Sequence, residues 1–71
     1  MSIIPKLLRE IRIEKGWTQN YVAGIMDISS ENIARWERGE TSPTLNSLEK
    51  WAAALGYEID LMLIREKESA K

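Results

Sequence analysis

The sequence predicts a compact all-α domain of four short helices followed by a C-terminal strand, on three observations. Apolar residues recur at helical spacing in four separate runs. Residues suited to start and stop helices sit between those runs, with Gly16, Asp27, Gly39 and Gly56 as the stops. The 71 residues make one small domain, since about 100 to 200 residues per domain is usual.

From Ser2 to Gly16, residues Ile4, Leu7, Leu8 and Ile11 fall at i, i+3, i+4 and i+7, one face of a helix. Pro5 suits its first turn, Lys15 its negative C-terminal end, and Gly16 the left-handed residue that stops it. Thr18 caps a second helix running through Met26, with Val22, Ala23 and Met26 inward. Gly24 inside that helix costs about 1 kcal/mol against Ala. Asp27 ends it in a tight turn, because Asp is among the few non-Gly residues that tolerate positive φ. Ser29 caps a third helix that carries Ile33 and Trp36 inward and stops at Arg38-Gly39. After the loop Glu40-Thr41-Ser42-Pro43, Ser42 or Thr44 caps a fourth helix, whose stripe is Leu45, Leu48, Trp51, Ala52 and Leu55, closed by Gly56.

Beyond Gly56, Tyr57, Ile59, Leu61 and Leu63 alternate with Glu58, Asp60 and Met62. That alternation and its aromatic and β-branched content favour a strand. Tyr57, Asp60, Leu61 and Ile64 also lie at helical spacing, so a fifth helix is the alternative. Residues 1–64 are read as a single domain and 65–71 as a polar tail.

Composition closes several function classes. With no His and no Cys, thiol chemistry, imidazole acid–base work, disulfides and nearly every zinc or transition-metal site are excluded. No metal, cofactor or small-molecule ligand is expected, and no enzyme: a chain this short offers no concave site for Asp, Glu, Lys, Tyr or Ser to work in. The 44% hydrophobic and 30% charged residues argue for a folded domain over disorder. The longest apolar stretch, Leu61-Met62-Leu63-Ile64, is too short to span a bilayer. Met1-Ser2-Ile3-Ile4-Pro5 lacks the charged start and long apolar core of a leader, so a soluble, cytoplasmic protein is expected. No ligand-sensing domain is expected, which leaves concentration, proteolysis or a partner to regulate the protein. Net charge is −1 and the pI is about 5.4. A nucleic-acid-binding domain normally has a pI above about 9, so composition by itself argues against DNA.

The stretch Gln19 to Arg38 reads helix, tight turn, helix. With Arg12, Gly16, Thr18-Gln19, Val22-Ala23, Ile28-Ser29, Ile33, Trp36-Glu37-Arg38-Gly39, Pro43, Leu45, Leu48 and Ala54-Leu55-Gly56, it resembles the helix-turn-helix of the phage Cro and lambda repressor type, the xenobiotic-response-element family of bacterial regulators. The likeness covers roughly residues 7–61. It implies a lambda-repressor-like DNA-binding fold, and the physics agrees: two helices crossing over a short turn need a small residue at the crossing, and Ala23 is that residue. The family usually has Gly where this chain has Asp27, a departure whose cost is about 1 kcal/mol.

The N-terminal part of a recognition helix enters the major groove. Here it exposes Ser30, Glu31, Asn32 and Arg35. Asn pairs with adenine, Arg with guanine and Glu with the cytosine amino group. For Arg35 the competing role is an ion pair with Glu31, and for Asn32 capping. The resemblance implies a phosphate contact at Gln19 with Thr18 and Asn20 beside it, a backbone grip by Arg38, Thr41 and Ser42, and a structural ion pair between Arg12 and Glu37. Ser29 is read as a cap and Trp36 as core.

A single module reads few base pairs, and a domain this small without staples gains from oligomerising. A homodimer on a palindromic operator is therefore expected, joined by antiparallel pairing of residues 57–64 across a two-fold axis through Tyr57, Ile59, Leu61 and Leu63. Similar Gly-Tyr-Glu-Ile-Asp-Leu endings occur in antitoxins whose dimers repress their own operon. The reading is a sequence-specific repressor; the alternative is a protein-interaction module, such as an antitoxin, whose main partner is a toxin rather than DNA. Residues 1–15 carry a net +2 and residues 16–44 a net −2. The DNA-facing half is thus not basic, which predicts weak non-specific affinity and a shallow salt slope.

Overall fold

The computed structural model describes residues 3–59 and the backbone of 64–66. In chain order the elements are α1 (Ile3–Glu14), α2 (Gln19–Met26), α3 (Ser30–Arg38), α4 (Leu45–Ala54), β1 (Tyr57–Ile59) and β2 (Ile64–Glu66). Each start has its cap. The hydroxyls of Thr18, Ser29 and Thr44 accept from the backbone N–H of Tyr21, Glu31 and Ser47, and all three caps have extended backbone.

The stops follow a shared pattern. Ile28 N–H donates to Ala23 O at 3.0 Å and Asp27 N–H to Gly24 O at 3.2 Å. This Schellman closure needs a left-handed residue, and Asp27 supplies it at φ 60°, ψ 45°. Asp27 is the non-glycine residue with positive φ among the described residues.

The α2–turn–α3 unit packs on α4 and α1, with Leu8, Val22, Ala23, Ile33, Trp51, Ala52 and Leu55 as the core. Ala23 is buried between α2 and α3, where a larger side chain would hold the two backbones apart. Trp36 lies half-buried against Trp51, ring centroids 5.3 Å apart. Trp51 is fully buried with its Nε1 unpaired among the described residues, a cost of about 1 to 3 kcal/mol that its packing offsets.

Two members of the expected apolar faces lie outside the core. Leu7 is exposed, and Leu45 is 64% exposed. Leu45 opens α4 directly after the loop, so no preceding turn brings a neighbour over it, and spacing alone does not bury a first-turn residue.

Among the described residues the C-terminal segment contributes two short strands and no fifth helix. β1 pairs antiparallel with β2 of the same chain, in the register Tyr57 to Glu66, Glu58 to Arg65 and Ile59 to Ile64. The physical reason is contiguity: four residues separate the strands, a usual hairpin connection. Tyr57 and Ile59 are half-buried and pack against the chain's own core. One edge of β1 is thus taken by an intrachain partner that the sequence reading did not assign, and Leu61 and Leu63 lie outside the described residues. Arg65 and Glu66, read from sequence as the start of a polar tail, belong to β2. Among the described residues no helix is long and apolar enough to cross a membrane.

Candidate nucleic-acid interface

The outer face of α3 is polar because its apolar residues, Ile33 and Trp36, are drawn to the core. Glu31, Arg35 and Arg38 follow at i, i+4 and i+7 and are exposed together, with Asn32 beside them. Ser30 is half-buried. The Ser29 cap holds the helix start, and the Asp27 turn sets the angle at which α3 leaves α2. Arg35 Nε lies 3.4 Å from Glu31 Oε2, an exposed i,i+4 pair. Such pairs contribute little, so both side chains stay available to a ligand.

Behind α3 sits a desolvated ion pair. Arg12 Nε donates to Glu37 Oε2 at 2.7 Å and its Nη2 to Oε1 at 2.9 Å, while Nη1 donates to the carbonyl of Trp17 at 2.7 Å. The Glu37 side chain is 2% exposed and that of Arg12 12%. Gln19 Nε2 also donates to Glu37 Oε1, at 3.0 Å. One carboxylate thereby ties α1, the start of α2 and α3 together. Sequence reasoning missed the Gln19 part of this network: one N–H of its side-chain amide is engaged with Glu37, and the second N–H is left to meet a phosphate. A contact between residues 18 apart has no signature in local spacing.

Thr18 is occupied as a cap, while Asn20, Thr41 and Ser42 are exposed. Arg38 is held by a neighbour that sequence reasoning did not pair with it. Its Nε donates to Glu40 Oε2 at 2.8 Å and its Nη2 to Oε1 at 3.1 Å, a bidentate fork at the surface. These bonds from Arg38 lower the Glu40 pKa and raise that of Arg38.

The fold also rearranges the charges that segment sums had separated. Glu37 is buried against Arg12, so it projects little negative field. Lys6 and Arg9 of α1 are brought to the end of α3 and the loop after it, where with Arg38, Thr41 and Ser42 they line a cleft of about 490 Å³. The flank of the α3 face is therefore more positive than residues 16–44 suggest.

Comparison with known proteins agrees with this geometry. Residues 8–62 match the helix-turn-helix family. The chain is 39% identical over 59 residues to a candidate HTH-type transcriptional regulatory protein of Aeropyrum pernix, covering 83% of this chain and 18% of that protein. To the HTH-type transcriptional regulator DdrOP3 of Deinococcus deserti it is 36% identical, over 79% of this chain and 43% of the relative. To the HTH-type transcriptional regulator AnsR of Bacillus subtilis it is 33% identical, over 86% of this chain and 53% of the relative. The chain thus spans from under a fifth to about half the length of these relatives. No solved structure matches it. Arg12, Gln19, the α2–turn–α3 unit and Glu37 all fall within the matched residues, and the chain belongs to the helix-turn-helix family, in its Cro/C1 type.

Proposed function

We propose that the protein is a sequence-specific transcriptional repressor, without catalytic activity, that reads duplex DNA with the outer face of α3 and acts in the cytoplasm as a homodimer on a palindromic operator. The observation that carries this reading is the exposed row Glu31, Asn32, Arg35 on a helix whose opposite face is locked into the core. In the major groove these side chains meet base edges, each good pair giving about 1 to 3 kcal/mol of discrimination. Ser30 stands at the start of the row. Thr18, Gln19 and Asn20 on one side and Arg38, Thr41 and Ser42 on the other contact the phosphates, which set register.

The names of the relatives support regulation of transcription. The dimer rests on size and on the strand edges that a two-stranded hairpin leaves open. In this reading Tyr57, Ile59, Leu61 and Leu63 contribute to the joint, and an open strand edge of β1 or β2 makes the pairing across the two-fold axis.

Fluorescence anisotropy against duplex from the gene's own upstream region tests the reading, with Arg35→Ala as control. Binding by the native chain that falls at least tenfold in Arg35→Ala is expected, the scale of one lost base contact. Equal, negligible binding by both would favour a protein partner, such as a toxin, over DNA. Truncation after Gly56 should yield monomers with poor DNA binding, and a dimer persisting in sedimentation would refute the joint.

A further inference from the structure

The cleft between α1 and the end of α3 has an uneven charge. Lys6 and Arg9 come from α1, Arg38 from the last turn of α3, and Glu37 is the carboxylate on its lining. Glu37 already receives two hydrogen bonds from Arg12 and one from Gln19. Arg9 reaches it only at 3.9 Å and is half-exposed. Lys6 makes no ion pair among the described residues. The first turn of α1 and the last turn of α3 bring opposite ends of two helix dipoles to the cleft, so the side chains decide its sign. Three cations face one neutralised carboxylate, in a protein whose net charge is −1. The hydroxyls of Thr41 and Ser42 sit on the same lining.

The third cation is restrained. Arg38 presents its fork to Glu40 in the bidentate geometry that a phosphate would use. Glu40 is two residues away, exposed, and makes no other side-chain hydrogen bond among the described residues. A tetrahedral anion arriving in the cleft has Lys6 and Arg9 ready and takes Arg38 by exchange.

We propose that this cleft is a phosphate site, filled by a backbone phosphate of duplex DNA held by Lys6, Arg9 and Arg38, with Glu40 occupying the Arg38 fork until the phosphate displaces it. The inference rests on the DNA-binding reading for the source of the phosphate, but the site itself stands on the cleft. Its consequence is a protein whose non-specific grip is held down by its own carboxylate.

The experiment is anisotropy with a random-sequence 20-base-pair duplex across a salt series, joined to an NMR titration of the Arg9 and Arg38 Nε–H signals with pyrophosphate. All substituted side chains are exposed, and circular dichroism checks each fold. Lys6→Ala with Arg9→Ala should lower the magnitude of the log K against log salt slope by about 0.9 for the phosphate lost. Glu40→Gln should raise low-salt affinity by about three- to tenfold, the scale of one added charge-assisted contact. In the Arg38→Ala background that gain should shrink to the small effect of removing one surface charge.

An unchanged slope in the double variant overturns the site. An equal Glu40→Gln gain with and without Arg38 overturns the exchange. If the native chain binds no duplex, the DNA reading fails. Pyrophosphate shifts at Arg38 that Lys6→Ala with Arg9→Ala abolish then still support a phosphate site, for a free phosphate ligand, and their absence overturns it.

Discussion

Arg12 with Glu37 and Arg38 with Glu40 are the same chemistry in two settings. Both are two-bond forks, with N–O distances of 2.7 and 2.9 Å in the first and 2.8 and 3.1 Å in the second. The first joins residues 25 apart, and its carboxylate is 2% exposed. The second joins residues two apart with both side chains about half exposed. Geometry is therefore not what decides the role of an ion pair here. Desolvation and span are: removing one partner strands a buried charge in the first case and exposes an already hydrated group to more water in the second. One pair holds the platform under α3, and the other leaves a cation that a ligand can take.

The largest expected effect tests the buried member. Glu37→Ala leaves Arg12 charged and 12% exposed, and leaves Gln19 without its acceptor. A loss of about 3 to 5 kcal/mol is expected, read by urea or thermal unfolding. That is a large share of the stability of a domain this size. A loss below 1 kcal/mol would place Glu37 with the exposed pair and erase the distinction.

Replacing both partners sharpens it. Arg12→Met with Glu37→Leu removes the stranded charge along with the pair, so most of the loss should return. The double variant is expected within about 1 to 2 kcal/mol of the native chain. If it were as unstable as Glu37→Ala, packing or the Trp17 and Gln19 contacts, rather than charge burial, would account for the cost.

A smaller effect comes from the turn that aims α3 across this platform. Asp27 sits at φ 60°, a conformation that costs a side chain about 1 kcal/mol and glycine almost nothing. Asp27→Gly should raise stability by about 1 kcal/mol or less, because glycine also loosens the unfolded chain. Unfolding midpoints at constant m-value check it. A fall in stability would mean that the Asp27 side chain contributes more than its backbone costs.

What the sequence revealed follows the range of the interactions. Caps and stops are local, so Thr18, Ser29, Thr44 and the left-handed Asp27 were readable from one or two neighbours. Val22, Ala23 and Ile33 were readable from period. Leu45 was misplaced because period says which side a residue faces and not whether anything lies there. The intrachain hairpin was missed because alternation identifies a strand and not its partner. The Gln19 bond to Glu37 spans 18 positions, and the approach of Lys6 and Arg9 to Arg38 spans about 30. Neither has a spacing rule, and charge sums over contiguous segments hid the second by averaging α1 apart from α3. The Arg12 and Glu37 pairing was suggested by family resemblance alone, since nothing in a separation of 25 implies contact.

The smallest effect belongs to the exposed pair and separates it most cleanly from the buried one. Arg38→Ala and Glu40→Ala should each leave the unfolding midpoint unchanged near neutral pH, because solvent screens the pair. Its presence is visible instead in titration. Hydrogen bonds from Arg38 hold the Glu40 carboxyl below its ordinary value of 4.5. A lowered folded-state value means the pairing favours the native state above about 4.5 and that this contribution is lost as pH falls through the lowered value. Carbon-detected NMR of the Glu40 side chain should show a midpoint below 4.5 in the native chain and a return toward it in Arg38→Ala. An identical midpoint in both would mean that the fork is not populated in solution. Arg38 would then be a free cation, and DNA binding would need no exchange at that position.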